Sequence, residues 1–163
     1  MMQLRTILCP VALPVPCESA MQFAAALARD HDARLILLHV FRPPRMPDEV
    51  AEYGRAARLT SEFVERLQNL VPDDRTIALE YHADEGAPAE VICRVALETG
   101  CDLIVMGTHG RRGLRRKLLG SVAEEVGRRA TCPVASVRQT AQVQESTAGV
   151  MDEIGNLELG AGD

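Results

Sequence analysis

Residues 102–121 read DLIVMGTHGRRGLRRKLLGS and join an apolar segment to a basic segment that contains four glycines. The apolar run that ends at Met106 predicts a buried strand, and Ser121 is placed to act as the N-cap of the helix that follows. Glycine exposes backbone N–H groups with no Cβ in the way, and a helix N-terminus adds unpaired N–H groups and a positive dipole end. This segment therefore predicts an anion-binding loop, suited to phosphate, at the carboxyl end of a strand.

Short apolar runs alternate with longer amphipathic runs along the chain. Because strands would then alternate with helices, we predict an α/β fold: a single, doubly wound, five-stranded parallel sheet of Rossmann-like strand order 3-2-1-4-5 with helices on both faces. Ligands of such sheets bind beyond the carboxyl ends of the strands, where the winding reverses. Strands are predicted over residues 6–11, 35–41, 76–82, 102–106 and 133–137, and helices over 18–31 and 48–71, from Pro88 to a stop at Gly100, and from Ser121 onward.

The chain has 163 residues, of which 47% are hydrophobic and 25% are charged. This composition is ordinary for one globular domain, which we place at residues 1–138. Residues 139–163 contain acidic residues but no Lys or Arg, and they account for the whole net charge of −5. We expect this acidic tail to be disordered. The body is then neutral and only 3% of residues are aromatic, which argues against nucleic acid as a partner.

Two features of the sequence predict a cytoplasmic protein. No apolar run approaches the roughly 18 residues of a membrane-spanning helix, so we expect no membrane partner, and the N-terminus shows no secretory signal pattern. The five cysteines form no C-x-x-C pair, and we interpret them as reduced thiols packed mainly as small hydrophobic groups.

The basic loop does not match the commonest nucleotide or hydrolase motifs. No glycine is followed by Lys and then Ser or Thr, so a Walker A loop is absent. The first predicted strand is not followed by G-x-G-x-x-G, and no G-x-S-x-G nucleophile elbow occurs. These absences argue against the corresponding enzyme classes.

The glycine spacing does resemble one specific pattern. Gly107-x₂-Gly110-x₉-Gly120-Ser121 is similar to the ATP-binding signature G-x₂-G-x₉-G-[ST] of the universal stress protein family. The likeness extends over about residues 3–138. It implies a nucleotide-binding regulatory protein of the stress response, and a homodimer formed through the last strand, which runs from Pro133 to Val137.

The same resemblance implies a role for individual residues in binding ATP or AMP, with or without Mg²⁺. The phosphates would be held by backbone and hydroxyl groups of the loop and the following helix. The adenine would be contacted largely by the backbone of one residue at the end of the second strand. A proline of the first strand would form one wall of the adenosine pocket. The residues that would bind the phosphates are Gly107, Gly110, Gly120 and Ser121, with Met106, His109 and Val122 close by. The residue that would contact the adenine is Val40, and the proline in the pocket wall is Pro10.

One position departs from the family pattern. Ala12 stands where nucleotide-binding members usually carry Asp near the nucleoside, so a carboxylate that could accept hydrogen bonds from the nucleoside is missing. A hydrogen bond to a charged group is worth about 1.5–3 kcal/mol, which is roughly one to two decades of affinity. We therefore expect nucleotide binding that is retained but weakened.

Three functions remain open from the sequence alone. The first is a nucleotide-binding regulator with slow or no hydrolysis. The second is a dimeric adaptor of the same fold that binds no nucleotide, which Ala12 favours. The third is a weak ATPase, which the sequence disfavours because it assigns no base to activate water and hence no catalytic residue.

Overall fold

The structure, a computed structural model, describes residues 3–12, 17–42, 65, 76–108 and 120–138. Three predictions lie wholly or largely outside these ranges. They are the helix over 48–71, of which only Glu65 is described and is helical, the central part of the loop, including His109 and Gly110, and the acidic tail over 139–163.

The described strands form one parallel sheet in the order β3-β2-β1-β4-β5, which confirms the predicted fold class and strand order. The strands are β1 (Thr6–Pro10), β2 (Arg34–Phe41), β3 (Ala78–Glu85), β4 (Leu103–Gly107) and β5 (Val134–Val137), and the helices are α1 (Glu18–His31), α2 (Pro88–Glu98) and α3 (Ser121–Arg129).

Helices cover both faces of the sheet because its central strands are apolar on both faces. Alternate residues of a strand point to opposite faces, and Ile7 of β1 packs with α1 while its neighbour Leu8 packs with α2 and α3. Both side chains are fully buried. The near-continuous apolar runs of β1, β2 and β4 are therefore the sequence signal of strands enclosed between two helical layers.

The strand bounds agree with the predictions to within one residue except at β3, and the N-cap of α3 also differs. β3 was expected over residues 76–82, but it occupies Ala78–Glu85 and pairs with β2 along its whole length. Asp84 and Glu85 are tolerated in it because β3 is an edge strand, as the predicted strand order implies, and charged side chains suit such an edge. The helix after the loop was expected to have Ser121 as its N-cap, but Gly120 is the N-cap and Ser121 is the first helical residue. Glycine is itself a favourable N-cap residue.

None of the helices in the described ranges is both long enough and apolar enough to cross a membrane. The five cysteines are all free thiols, and Cys9 and Cys101 are buried, in keeping with the expectation that they pack as hydrophobic groups.

The carboxylate of Asp102 links the start of β4 to the start of β1. Its Oδ2 accepts hydrogen bonds from the backbone N–H groups of Arg5, at 2.8 Å, and Thr6, at 2.9 Å. These two bonds hold the pKa of the Asp102 carboxyl below its usual value. The ionised carboxylate therefore helps to fix the amino ends of the two central strands.

The end of β4 packs against the N-terminal end of α1 with no space for a side chain. A Cβ placed on Gly107 would lie 2.4 Å from the Cβ of Cys17 and 2.9 Å from its Sγ. The Cβ of Cys17 is held close to the backbone and cannot swing away as the tip of a long side chain could. Glycine at position 107 is therefore required by packing alone.

Replacing Asp102 with Asn should lower the free energy of unfolding by about 1–2 kcal/mol at neutral pH, because the amide oxygen of Asn still accepts from Arg5 and Thr6 but without the negative charge that strengthens both hydrogen bonds. The folded-state pKa is lowered, so this stabilisation is complete above the unfolded pKa of about 3.9 and is lost as the pH falls through the folded pKa. Urea unfolding should show that wild type and Asp102→Asn differ in free energy of unfolding at neutral pH, and that this difference becomes smaller at about pH 3. The exposed Asp30→Asn is the control, and an equal gap at both pH values would contradict the assignment.

Replacing Gly107 with Ala should destabilise the protein by about 1–3 kcal/mol, the usual cost of overpacking. In a double-mutant cycle, Cys17→Gly should recover most of this loss because it removes the atoms that the new methyl group would meet. Cys17→Ala keeps the Cβ and should not rescue. Equal rescue by both Cys17 variants, measured by urea unfolding, would show that the contact does not involve the Cβ.

Candidate functional site

The winding of the sheet reverses between β1 and β4. The chain passes from β1 to β2 and β3 on one side and later adds β4 and β5 on the other. Pro10 is paired with Leu38 of β2, and the pairing of Leu8 with Ile104 places Met106 level with Pro10 when the register is continued. The carboxyl ends of β1, β2 and β4 therefore meet at one place, which is where a doubly wound sheet binds ligands.

Three of the predicted site residues share the face of the sheet that α2 and α3 cover. Met106 is buried in the core of that face, and Val40 and Val122 are partly buried against the same core. They come from β2, β4 and the first turn of α3, which are far apart in sequence. The structure thus brings Val40, Met106 and Val122 together as an apolar surface beside the carboxyl ends of the strands.

The N-terminus of α3 offers backbone N–H groups beside this surface. The first intrahelical bond runs from Glu124 N to Gly120 O at 3.0 Å, so the N–H groups of Ser121, Val122 and Ala123 precede the helical ladder. Within the described residues no side chain caps this end, and Ser121 is exposed. These three amides and the helix dipole are the groups that the described structure offers to an anion.

The end of β4 contributes less to such a site than the glycine spacing implies. The side of Gly107 where a Cβ would stand is occupied by Cys17, and the N–H of Thr108 donates to the carbonyl oxygen of Val137 at 3.0 Å. The first amide after β4 is thus used in the sheet. That Gly107 contacts a phosphate stays a prediction, as do the roles of His109 and Gly110, which lie outside the described residues.

Two residues near the site were not expected to take part in it. Cys17 lies against Gly107, and its Sγ is 3.9 Å from the carbonyl oxygen of Val137, so it joins the start of α1 to the ends of β4 and β5. Burial raises the pKa of the Cys17 thiol, which keeps it protonated at neutral pH. No local pattern predicts this contact, because cysteine is not a usual helix cap and Gly107 and Val137 are at least ninety residues away from it in sequence.

His39 is the second unexpected residue. Its Nδ1 lies 3.0 Å from the carbonyl oxygen of Val11, and its ring meets that of Phe41 edge to face at 4.4 Å. A carbonyl oxygen only accepts, so Nδ1 carries the proton in this contact. The bond ties the segment after β1 to β2, next to Val40. The one signal in the sequence was a polar residue inside the apolar run LILLHVF.

Comparison with known proteins agrees with this geometry. The model of the universal stress protein family matches residues 3–138. A universal stress protein of Thermus aquaticus is 34% identical over 129 residues, which cover 74% of this chain and 89% of the relative. The solved structure of the universal stress protein UspA from Lactobacillus plantarum has a TM-score of 0.71 at 25% identity and covers 85% of this chain and 100% of its own.

Two further solved structures bear on ligands, although their likeness to this chain concerns the fold. A universal stress protein in complex with cAMP is 23% identical, with a TM-score of 0.59, and covers 85% of this chain and 100% of its own. One from Archaeoglobus fulgidus in complex with dAMP is 23% identical, with a TM-score of 0.61, and covers 83% of this chain and 98% of its own. From the match over residues 3–138, the identity to relatives and the shared strand order, this chain belongs to the universal stress protein family.

Proposed function

We propose that this protein is a stress-response regulator that binds ATP or AMP at the carboxyl edge of its sheet and hydrolyses it slowly or not at all. The observation that carries the proposal is the N-terminus of α3, whose N–H groups precede the helical ladder beside the apolar surface of Val40, Met106 and Val122. An uncapped helix N-terminus attracts a phosphate, and an apolar surface suits a purine.

In the proposed complex, the phosphates lie at the start of α3 and in the glycine-rich loop. The adenine lies against Val40, and Pro10, at the end of β1, forms one wall of the pocket. Magnesium would accompany the nucleotide when the ligand is ATP. The phosphate-binding residues of this proposal are Gly107, Gly110, Gly120 and Ser121, with His109, Met106 and Val122 next to them.

An adenine nucleotide is the ligand class that the family context favours. Two solved members with this fold hold adenine nucleotides, cAMP in one and dAMP in the other. The sequence of the glycine-rich loop carries five Arg and Lys residues at positions 111–117. Basic side chains near a polyphosphate favour its binding electrostatically.

A regulatory role is favoured over catalysis by the chemistry of the site. The predicted binding residues that the structure describes are apolar or glycine, apart from the hydroxyl of Ser121. None of those described residues is a carboxylate or an imidazole that could remove a proton from water. Of the predicted binding residues, only His109, which lies outside the described residues, carries a group that could accept that proton.

Ala12 weakens the proposed interaction and favours the adaptor function as the competing candidate. It is exposed just beyond β1, where a carboxylate could face the nucleoside. Without that group, the ligand would keep its phosphate and adenine contacts but lose a hydrogen bond acceptor.

We also propose that the protein is a cytoplasmic homodimer joined through β5. This strand is an edge of the sheet, with β4 as its one neighbour in the described structure. The carbonyl oxygens of Pro133 and Val137 accept hydrogen bonds from Ile104 of β4 and from Thr108 just after it, so by alternation the backbone groups of Ser136 point away from β4. An edge of this kind can pair with a second copy.

Isothermal titration with ATP, ADP and AMP should show binding to the wild-type protein and at least a tenfold loss in Gly120→Val. Gly120 has φ −66° and ψ 153°, which valine adopts without strain, so the loss should arise from the bulky side chain beside the amides. Gly127→Val, on the same helix in open space, is the matched control.

Ala12→Asp tests whether a carboxylate at position 12 strengthens nucleotide binding. It should raise affinity by roughly ten- to hundredfold if the nucleoside lies beside position 12. Absence of heat with all three nucleotides in both wild type and Ala12→Asp would reject nucleotide binding and leave the adaptor function.

Sedimentation velocity should show a dimer of the wild-type protein that Ser136→Pro converts to a monomer. Proline removes an N–H that points away from β4, so the ladder between β4 and β5 should survive. Ser136→Ala keeps that N–H and should remain dimeric. A wild-type protein that stays monomeric at high micromolar concentration, or a Ser136→Pro variant that stays dimeric, would contradict pairing through β5.

A further inference from the structure

Cys101 and Cys132 stand at equivalent places before two adjacent strands. Cys101 precedes β4 and Cys132 precedes β5, and these strands pair in parallel with Ile104 opposite Val134. The pairing continues toward the cysteines, because Ile104 N donates to the carbonyl oxygen of Pro133 at 3.0 Å. Cys101 and Cys132 both lie just outside the strand bounds, on the two neighbouring chain segments that enter β4 and β5 side by side.

The side chains meet on one face of the sheet. Both cysteines belong to the apolar cluster that α2 and α3 cover, and the thiol of Cys132 lies within hydrogen-bonding reach of the thiol of Cys101. The Sγ of Cys101 also contacts the carbonyl oxygen of Leu103 at 3.0 Å. Cys132 is half-buried whereas Cys101 is buried, so a small reagent reaches Cys132 first.

We propose that Cys101 and Cys132 are a modification site, at which hydrogen peroxide or another two-electron oxidant forms an intramolecular disulfide. The Cys132 thiolate attacks one peroxide oxygen, the O–O bond breaks, and a sulfenic acid and one water result. The Cys101 thiolate then attacks the sulfenic sulfur, the S–O bond breaks, and the disulfide and a second water form. Two thiols lose two electrons and two protons, and one peroxide becomes two waters.

The disulfide would close a covalent loop over the part of the chain that carries the candidate site. Residues 101–132 include β4, the glycine-rich loop and α3. Cross-linking the two ends restricts the unfolded chain and so favours the folded state. The disulfide would lie at the amino ends of β4 and β5, and its formation does not depend on nucleotide binding.

The bond should form slowly. Burial raises the pKa of Cys101 to about 12 and also raises that of Cys132, so little thiolate exists at neutral pH. The pair would therefore respond to sustained oxidation and not to a brief pulse of peroxide.

The test uses the full chain, kept folded, with hydrogen peroxide as the oxidant. After hours of exposure, free thiols are alkylated and the linked peptides are mapped by mass spectrometry. A peptide that joins Cys101 to Cys132 is expected, together with a rise in melting temperature of roughly 5–15 °C that dithiothreitol reverses.

Two variants separate this site from other thiol chemistry. Cys132→Ser should abolish the linked peptide and the thermal shift, while Cys93→Ser should leave both, although Cys93 also lies near Cys132. Because the mapping is done on the wild-type chain, the result does not depend on the variants folding. The proposal would be overturned by Cys132 joined to Cys93 or to a second chain, by sulfinic acid at Cys132 with Cys101 still alkylated, or by five free thiols after exposure.

Discussion

The geometry of the molecule depends on the pairing of β1 with β4 at the point where the winding of the sheet reverses. The Asp102 carboxylate fixes the amino ends of these strands through the N–H groups of Arg5 and Thr6. At the opposite ends, β1 leads to β2 on one side of the sheet and β4 leads to β5 on the other, which is the arrangement that forms a ligand crevice in doubly wound sheets. Helix α3 begins beside that crevice because its buried side chains, among them Val126, must face the same core as Met106. Packing of these side chains thus places a helix N-terminus at the carboxyl ends of the strands.

Packing and ligand binding make different demands on the glycines of the signature. Gly107 has no Cβ because Cys17 occupies that space, which would hold whether or not a ligand binds. Gly120 has a backbone conformation open to any residue, so its φ and ψ do not require glycine, and the reason that we propose for it is the close approach of a phosphate to the α3 amides. The signature therefore contains one glycine that packing explains, Gly107, and one whose part in binding stays a prediction, Gly120.

Much of the fold could be predicted from the sequence because periodicity reports burial directly. The bounds of α1, the stop at Gly100 and the strand order all agree with the structure. Local patterns could not give the true end of β3, since its last residues are charged and are held in the strand by pairing with β2. They also could not give the contact of Cys17 with Gly107 or the bond from His39 to Val11, because both arise from how distant segments pack.

The central claim is that the first amides of α3 bind the phosphate of an adenine nucleotide. Titration of isotope-labelled protein with AMP, followed in a ¹H–¹⁵N correlation spectrum, tests it most directly. The account predicts the largest amide shift changes at Ser121, Val122 and Ala123, with smaller changes at Val40. Saturable AMP binding that leaves the α3 amides unshifted, or a spectrum that AMP does not change at all, would contradict it.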